Sequence, residues 1–502
     1  MCPGGPSSTK ASAQVKAKAA VVKVEKTARA IMMMKATAEP LRQDLNFKSK
    51  AELLVAGTPQ EIHRKPRLSL AKTPTRFRMM LCVDDTIAAR LPPFSPPSVD
   101  AHDLKKKQVT IGFDFAGIVG PCMALSMLGI PYTILWASES DESCRKMLRA
   151  HWQSRDGGEK MTIFDDATAM DIQSLPSPDI YIATPPCQTF SAAGNQQGTT
   201  DERGRLIYHP VRVVKMLKTP PKIVVIENVL ALLQRHKPVY DTLVSELEEA
   251  GYTMLNKGNP VFDTKSHGVP HSRKRVILVG VHSPSAEGLV AWTPPKPLSR
   301  CPSLGLFVCG NGQAVPPKFN EQIERAWRTL VARSGPAGPK DMITDLGASE
   351  RFQSTNQFFC PCLTASRTMT SSGYYIHSKK AFLSTRDKVR LMGYPVGCYH
   401  PAKANVTIGR FGHQLGNCVS GNVMMRLWPQ ILKAGNLLKA RAQIRDTWAE
   451  LVAFCEEFSL TVPVYPEPRL EKVVTTCRGG QTPGSGAGRA TLSGPPLKRQ
   501  KA

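Results

Sequence analysis

Apolar residues in the middle of the chain fall into short, nearly continuous runs separated by stretches of helical period. The runs Val109–Phe113, Thr133–Ala137, Ile180–Ala183, Ile223–Ile226 and Val276–Val279 read as strands covered on both faces. Helix-like stretches such as Cys122–Leu128, Val211–Leu217 and Pro238–Ala250 lie between them. Strands alternating with helices predict an α/β domain on a mostly parallel sheet. From Arg275 to about Phe359 the rhythm is lost and Pro, Gly and Ser are frequent, so a smaller second lobe is expected there.

The two ends differ from this middle. Residues 1–107 hold 20 Lys+Arg against 9 Asp+Glu and little sustained apolar period, which predicts a basic, largely disordered extension. Gln14–Lys35 is its one candidate helix. An arm that grips phosphates, a plain solvated tail and an organelle-targeting leader all fit this composition; the absence of arginine from the first 28 residues weighs mildly against the leader. Residues 473–502 are Gly/Ser/Pro-rich without an acidic residue and end Pro495-Pro-Leu-Lys498-Arg499-Gln-Lys501, which resembles a nuclear-localisation signal. The net charge of +26 favours a polyanionic partner. No run approaches the ~18 apolar residues of a membrane span. No secretory signal is visible, so the 13 cysteines are expected to be reduced in a cytosolic or nuclear setting.

Candidate chemistry gathers where the runs end. Pro186-Cys187-Gln188 follows the strand at Ile180–Ala183, and Glu227-Asn228-Val229 ends the strand at Ile223. Carboxyl ends of strands are where open α/β sheets bind ligands. A thiol and a carboxylic acid there suit a nucleophile and a proton donor; taken singly, each motif reads equally well as a core cysteine or a strand cap. Arg273 and Arg275, two apart, are expected on one face of a strand. The turn Asp114-Phe115-Ala-Gly117-Ile-Val-Gly120 lets backbone approach a ligand at a helix start, and Glu139 closes the next strand. Thr189–Arg205 carries Gly194, Gly198 and Gly204, which suit the hinges of a closing loop and equally an ordinary surface loop. Cys301, Cys309, Cys360 and Cys362 form no CxxC pair, so no metal site is expected.

These motifs, in this order from about Val109 to about Leu432, resemble those of the S-adenosylmethionine-dependent cytosine-C5 DNA methyltransferases. His267-Gly-Val-Pro270-His271-Ser-Arg273-Lys-Arg275 is similar to the family's arginine motif. Leu383-Ser-Thr-Arg386 through Pro395, and Gln414-Leu-Gly416-Asn417-Cys418-Val419, are similar to its carboxyl-terminal pair. The resemblance implies a Rossmann-like methyltransferase sheet with helices on both faces and a smaller target-recognition lobe. It implies S-adenosylmethionine held by Phe115, Gly117, Gly120, Glu139, Asp166 (or its neighbour Asp165), Leu206, Asn417 and Val419. It further implies that Cys187 attacks C6 of a cytosine flipped from duplex DNA, Glu227 serves N3, and Arg275 with Arg273 binds O2. The expected division is 108–280 catalytic, 281–358 target recognition, 359–440 returning to the catalytic core and 441–472 a helical extension. A monomer on DNA, nuclear if eukaryotic, is expected.

Three departures stand out: Val119 where the family turn has glycine, His271 where it has glutamine, and Cys418 where it has a small hydroxyl residue. Val119 is expected to impair the turn or rebuild it if φ > 0 is required. His271 is expected to alter loop packing or DNA contacts. Two rival readings remain at this level. One is the tRNA-directed branch, whose Cys-Phe-Thr signature is missing here; the other is a catalytically silent DNA-binding homologue.

Overall fold

In the computed structural model the described residues are 80–82, 103–152, 161–191, 198–283, 292–334, 342–348, 353–369 and 373–464. The candidate helix at Gln14–Lys35, the terminal basic signal and Gly194 lie outside them.

The central sheet contains β1 (Val109–Asp114), β2 (Tyr132–Ser138), β3 (Thr162–Phe164), β4 (Ile180–Ala183), β5 (Ile223–Val229), β6 (Tyr252–Met254), β7 (Val261–Asp263) and β8 (Lys274–His282). Their order is β3-β2-β1-β4-β5-β8-β6, with β7 also paired to β8. β1 to β5 are mutually parallel, whereas β8 runs antiparallel to β5 with Glu227 opposite Ile277 and Val229 opposite Arg275. The order reverses between β1 and β4. In open α/β sheets such a reversal point, at the strands' carboxyl ends, is where ligands bind.

Each strand feeds two cores by period-two alternation. Ile111, Phe113, Ile182, Val225 and Val279 face one layer with Leu125, Leu148 and Ile431. Tyr181, Val224, Ile226 and Leu278 face the other with Val213, Leu243 and Leu247. Helices α1 (Gly120–Met127) and α2 (Glu142–Trp152) thus cover one face, and α3 (His209–Met216) and α4 (Lys237–Glu249) the other. Gly112 is glycine because the indole of Trp136 occupies the space a Cβ would need.

Beyond the central sheet lie β9 (Arg300–Pro302), α5 (Asn320–Ser334) and a second, antiparallel sheet in the order β11-β10-β12-β13. Its strands are β10 (Met342–Asp345), β11 (Thr355–Gln357), β12 (Tyr374–Ile376) and β13 (Ala381–Phe382). Two of the four lie beyond residue 358, where the sequence placed the lobe's end. The chain instead dips into the core at Cys360–Thr364, leaves to complete the lobe, and returns through α6 (Thr385–Leu391), α7 (Ile408–Asn417) and α8 (Gly421–Ala434). The stretch expected as a helical extension holds α9 (Thr447–Glu457) and then β14 (Thr461–Pro463), which pairs with β9.

One expectation about the cysteines is corrected. Met80 and Leu81 are buried, and Cys82 is disulfide-bonded to Cys309 with their Cα atoms 6.1 Å apart. The insertion of two apolar side chains brings together thiols that are 227 residues apart, a pairing invisible to spacing rules.

Candidate active site

The turn after β1 is built from backbone conformation. Phe115 (φ 55°), Gly117 (φ 53°) and Val119 (φ 46°) are all left-handed, and α1 begins at Gly120. Val119 therefore adopts the conformation for which glycine is suited, with its side chain fully buried. Gly117 N–H donates to Glu139 Oε2 (2.7 Å) and Asp141 N–H to Oε1 (2.8 Å), so this carboxylate ties the turn to the end of β2. Burial pushes Glu139 above the ordinary carboxylate range, against the pull of these two bonds. A Cβ at Gly117 would meet nothing within 4 Å, so space lies open beside the turn.

Asp166, exposed after β3, accepts from the N–H and hydroxyl of Thr168, both at 2.7 Å, and these bonds hold its pKa below the usual carboxylate range. Leu206 is half-buried after the one-turn helix Glu202–Arg205. Asn417 is exposed at the end of α7, and Val419 is buried two residues on. Gly120 reaches them: its missing Cβ leaves room for Tyr394, Cys418 and the Val419 carbonyl, to which Tyr394 donates at 2.7 Å.

A buried network beneath the turn escaped the sequence reading. Asp114 accepts from Ser138 (2.5 Å) and Tyr181 (2.7 Å), and His209 Nε2 lies 3.3 Å from it. The His209 ring also meets the Phe115 ring edge-on at 5.6 Å.

The second half of the site adjoins the first. Thr184, leaving β4, donates its N–H to Asp114 O (3.2 Å) and its hydroxyl to Phe115 O (2.7 Å). Two prolines follow, then Cys187, whose carbonyl accepts from Phe190 (3.1 Å) and Ser191 (2.8 Å) in a tight turn. Asn228 Nδ2 donates to Pro185 O (3.2 Å), locking the β5 motif against the cysteine motif. The loop beyond is pinned at its base: Gly198 N–H donates to Thr189 O (3.0 Å), and Gly204 packs so closely on Gly198 that no side chain fits.

Glu227 is buried beside Arg275, whose Nε lies 3.2 Å from Glu227 Oε1. Burial raises Glu227 above its ordinary value; Arg275, and less so Arg273, oppose the rise. Burial likewise pushes the Cys187 thiol up, Arg275 pulls it back, and the Glu227 charge adds to the rise.

Arg273 precedes β8 instead of lying on it, and its role differs from that expected. Its guanidinium donates to the carbonyls of Leu363 (2.8 Å), Gly416 (3.1 Å) and Cys418 (2.7 Å). It is a clamp that joins the arginine motif to two later segments. His271 braces the same junction: Nε2 accepts from Leu363 N–H (3.0 Å), leaving Nδ1 to donate to Leu391 O (2.9 Å). Burial holds this imidazole neutral. Its contacts are thus internal packing. Cys362 also faces both arginines, Nη1 of Arg273 at 3.8 Å and Nη2 of Arg275 at 4.0 Å. Among the described residues no group of three or more His, Cys, Asp or Glu is placed to hold a metal, and no helix is long and apolar enough to cross a membrane.

An open turn at the end of β1 near a thiol, an acid and a guanidinium that follow β4, end β5 and begin β8 fits a group-transfer enzyme. The family model for C-5 cytosine-specific DNA methylase matches residues 114–302, which contain this thiol, acid and guanidinium. Type II methyltransferase M.NgoBI of Neisseria gonorrhoeae is 27% identical over 308 residues, 61% of this chain and 87% of its own. M.DsaV of Dactylococcopsis salina is 24% identical over 375 residues, covering 74% and 99%. The structure of an Entamoeba histolytica methyltransferase superposes with a TM-score of 0.47 at 16% identity, over 65% of this chain and 98% of that one. These similarities support the cytosine-C5 DNA methyltransferase family for the chain's catalytic segment.

Proposed function

We propose that this enzyme transfers a methyl group from S-adenosylmethionine to C5 of cytosine in DNA, through a covalent bond between Cys187 and C6 of a base flipped from the duplex. The observation that carries the reading is the convergence of Cys187, Glu227 and Arg275 on one pocket, with Arg275 3.2 Å from the acid.

The cofactor cradle fits. Open space lies at Gly117, and the Glu139 carboxylate stands beside it to accept ribose hydroxyls. Phe115 offers a ring face for the adenine, and Asp166 an acceptor for its amino group. When bound, the cofactor supplies an electrophilic methyl on a sulfonium.

Cytosine C5 is too weak a nucleophile to take that methyl unaided. Attack of Cys187 Sγ on C6 makes C5 electron-rich, while Glu227, whose hold on a proton burial strengthens, places a proton at N3. Arg275 binds O2 and offsets the charge that develops on the ring. Loss of the C5 proton to water then expels Cys187 and restores aromaticity. The pocket reaches a base only outside the stack, so flipping is required, and the loop Thr189–Arg205 is suited to exclude water.

Incubation with oligonucleotides carrying 5-fluorocytosine and S-adenosylmethionine tests this. The fluorine cannot leave as the proton does, so a denaturation-resistant adduct is expected on duplex DNA and not with Cys187→Ala. An adduct only on structured RNA would assign the enzyme to RNA, and none on either would favour a silent DNA-binding homologue.

A further inference from the structure

Cys362 is the one pocket residue that the mechanism leaves without a task. It enters with the Cys360–Thr364 dip, on the far side of the two arginines from Glu227. Its sulfur lies within hydrogen-bonding range of Arg273 Nη1 (3.8 Å) and Arg275 Nη2 (4.0 Å). Arg275 therefore has an acid at its Nε and a thiol at its Nη2. Arg273 is fixed by three carbonyls and cannot turn away, so the thiol has a permanent cationic neighbour. The backbone is fixed too: Tyr374 donates its hydroxyl to Cys362 O (2.9 Å) and accepts from Thr364 N–H (3.1 Å). Cys187 and Cys362 thus share the field of one guanidinium.

We propose that Cys362 is a positioning residue for Arg275: as a thiolate it holds that guanidinium between itself and Glu227, and withholds part of its charge from Cys187 until a substrate base binds. This rests on the reading of Cys187 as the nucleophile. The two thiols are driven in opposite directions. The two arginines pull Cys362 below the ordinary thiol range despite burial, whereas burial keeps Cys187 above it. A negative sulfur at Cys362 opposes a second one at Cys187, because like charges sharing a site titrate as a coupled pair. The free enzyme accordingly rests with its nucleophile protonated. A pyrimidine O2 that engages Arg275 competes with Cys362 for the same donors, which links activation of the nucleophile to arrival of the base.

The test is pH-dependent alkylation of the full-length protein by iodoacetamide, without DNA or cofactor, quantified at each cysteine by peptide mass spectrometry. Cys362, partly buried like Cys187, is expected to react at lower pH than Cys187. In Cys362→Ser, which keeps the volume and removes the charge, the Cys187 profile should move to lower pH by roughly one unit. Cys362 reacting only at or above the pH of an ordinary thiol overturns the proposal, as does an unmoved Cys187 profile. If Cys362 is too shielded to react, the Cys187 profile in the variant decides alone; a purely structural role for Cys362 would not shift it. Failure of the 5-fluorocytosine adduct with both profiles as expected would instead remove the nucleophile assignment and leave the charge sharing intact.

Discussion

The cofactor turn and the base pocket lie side by side at one edge of the sheet, yet they are assembled in opposite ways. The turn is local: six residues, three left-handed backbones and one carboxylate 22 positions away. The pocket is remote, with segments from β4, β5, β8, Cys360–Thr364 and Gly416–Cys418 joined through two guanidiniums, those of Arg273 and Arg275. A site made of backbone conformation tolerates a changed side chain so long as φ and ψ survive, and Val119 is an instance. A site made of side chains reaching across the chain has no such latitude.

The largest expected effect is on the remote side. Glu227→Gln should lower kcat by about 10²–10⁴ with little change in KM for the cofactor, read by single-turnover methyl transfer. A loss confined to KM would transfer the acid's role elsewhere. Arg273→Lys should destabilise by roughly 2–3 kcal/mol in chemical denaturation, because an ammonium cannot reproduce a planar fork spanning three buried carbonyls. A change within about 0.5 kcal/mol, the scatter typical of a surface site, would deny the clamp.

Glu227 also gives the comparison a pH dependence. Burial raises it above 4.5, so the folded protein keeps a proton that the unfolded chain releases. Its contribution is complete below pH 4.5 and is lost as pH rises through the raised value. Glu227→Gln has no proton to lose. Its melting temperature relative to the parent should therefore climb from acid to neutral pH, and a flat difference would mean that folding leaves the acid's hold on its proton unchanged.

The smallest effect belongs to the turn. In Val119→Gly, relief of a left-handed β-branched residue (about 1–2 kcal/mol) opposes loss of a buried isopropyl group (about 1.5–3 kcal/mol). Stability should fall by no more than about 2 kcal/mol, and cofactor affinity by calorimetry should stay within about threefold. A tenfold gain would show that Val119 distorts the cradle.

Legibility followed the same division. Cys187 and Glu227 could be read because each ends an apolar run whose length and composition mark a buried strand. The turn could be read because Gly117 and Gly120 fall within a few residues of each other just after a strand. Arg273 could not be assigned correctly, since its partners are carbonyls, which every residue carries and no sequence pattern marks. Cys362 was noticed and weighed only as a metal ligand; its neighbours are 87 and 89 positions distant. The Asp114 network was hidden for the same reason, its serine, tyrosine and histidine coming from three other elements. The small lobe blurred because strands of two to four residues are too short to display a period.

Trp428 on α8 donates its indole N–H to the carbonyl of Pro121 on α1, across 307 residues. On the ribosome, at about 5–20 residues per second, the first helix after the turn waits roughly 15–60 s for that partner. Throughout that interval the apolar side of α1 has no lid, and the nascent enzyme must be sheltered by whatever attends its synthesis. A chain arrested or cleaved ahead of α8 would present a nearly finished sheet with an open flank, a species marked for quality control long before it could meet a substrate.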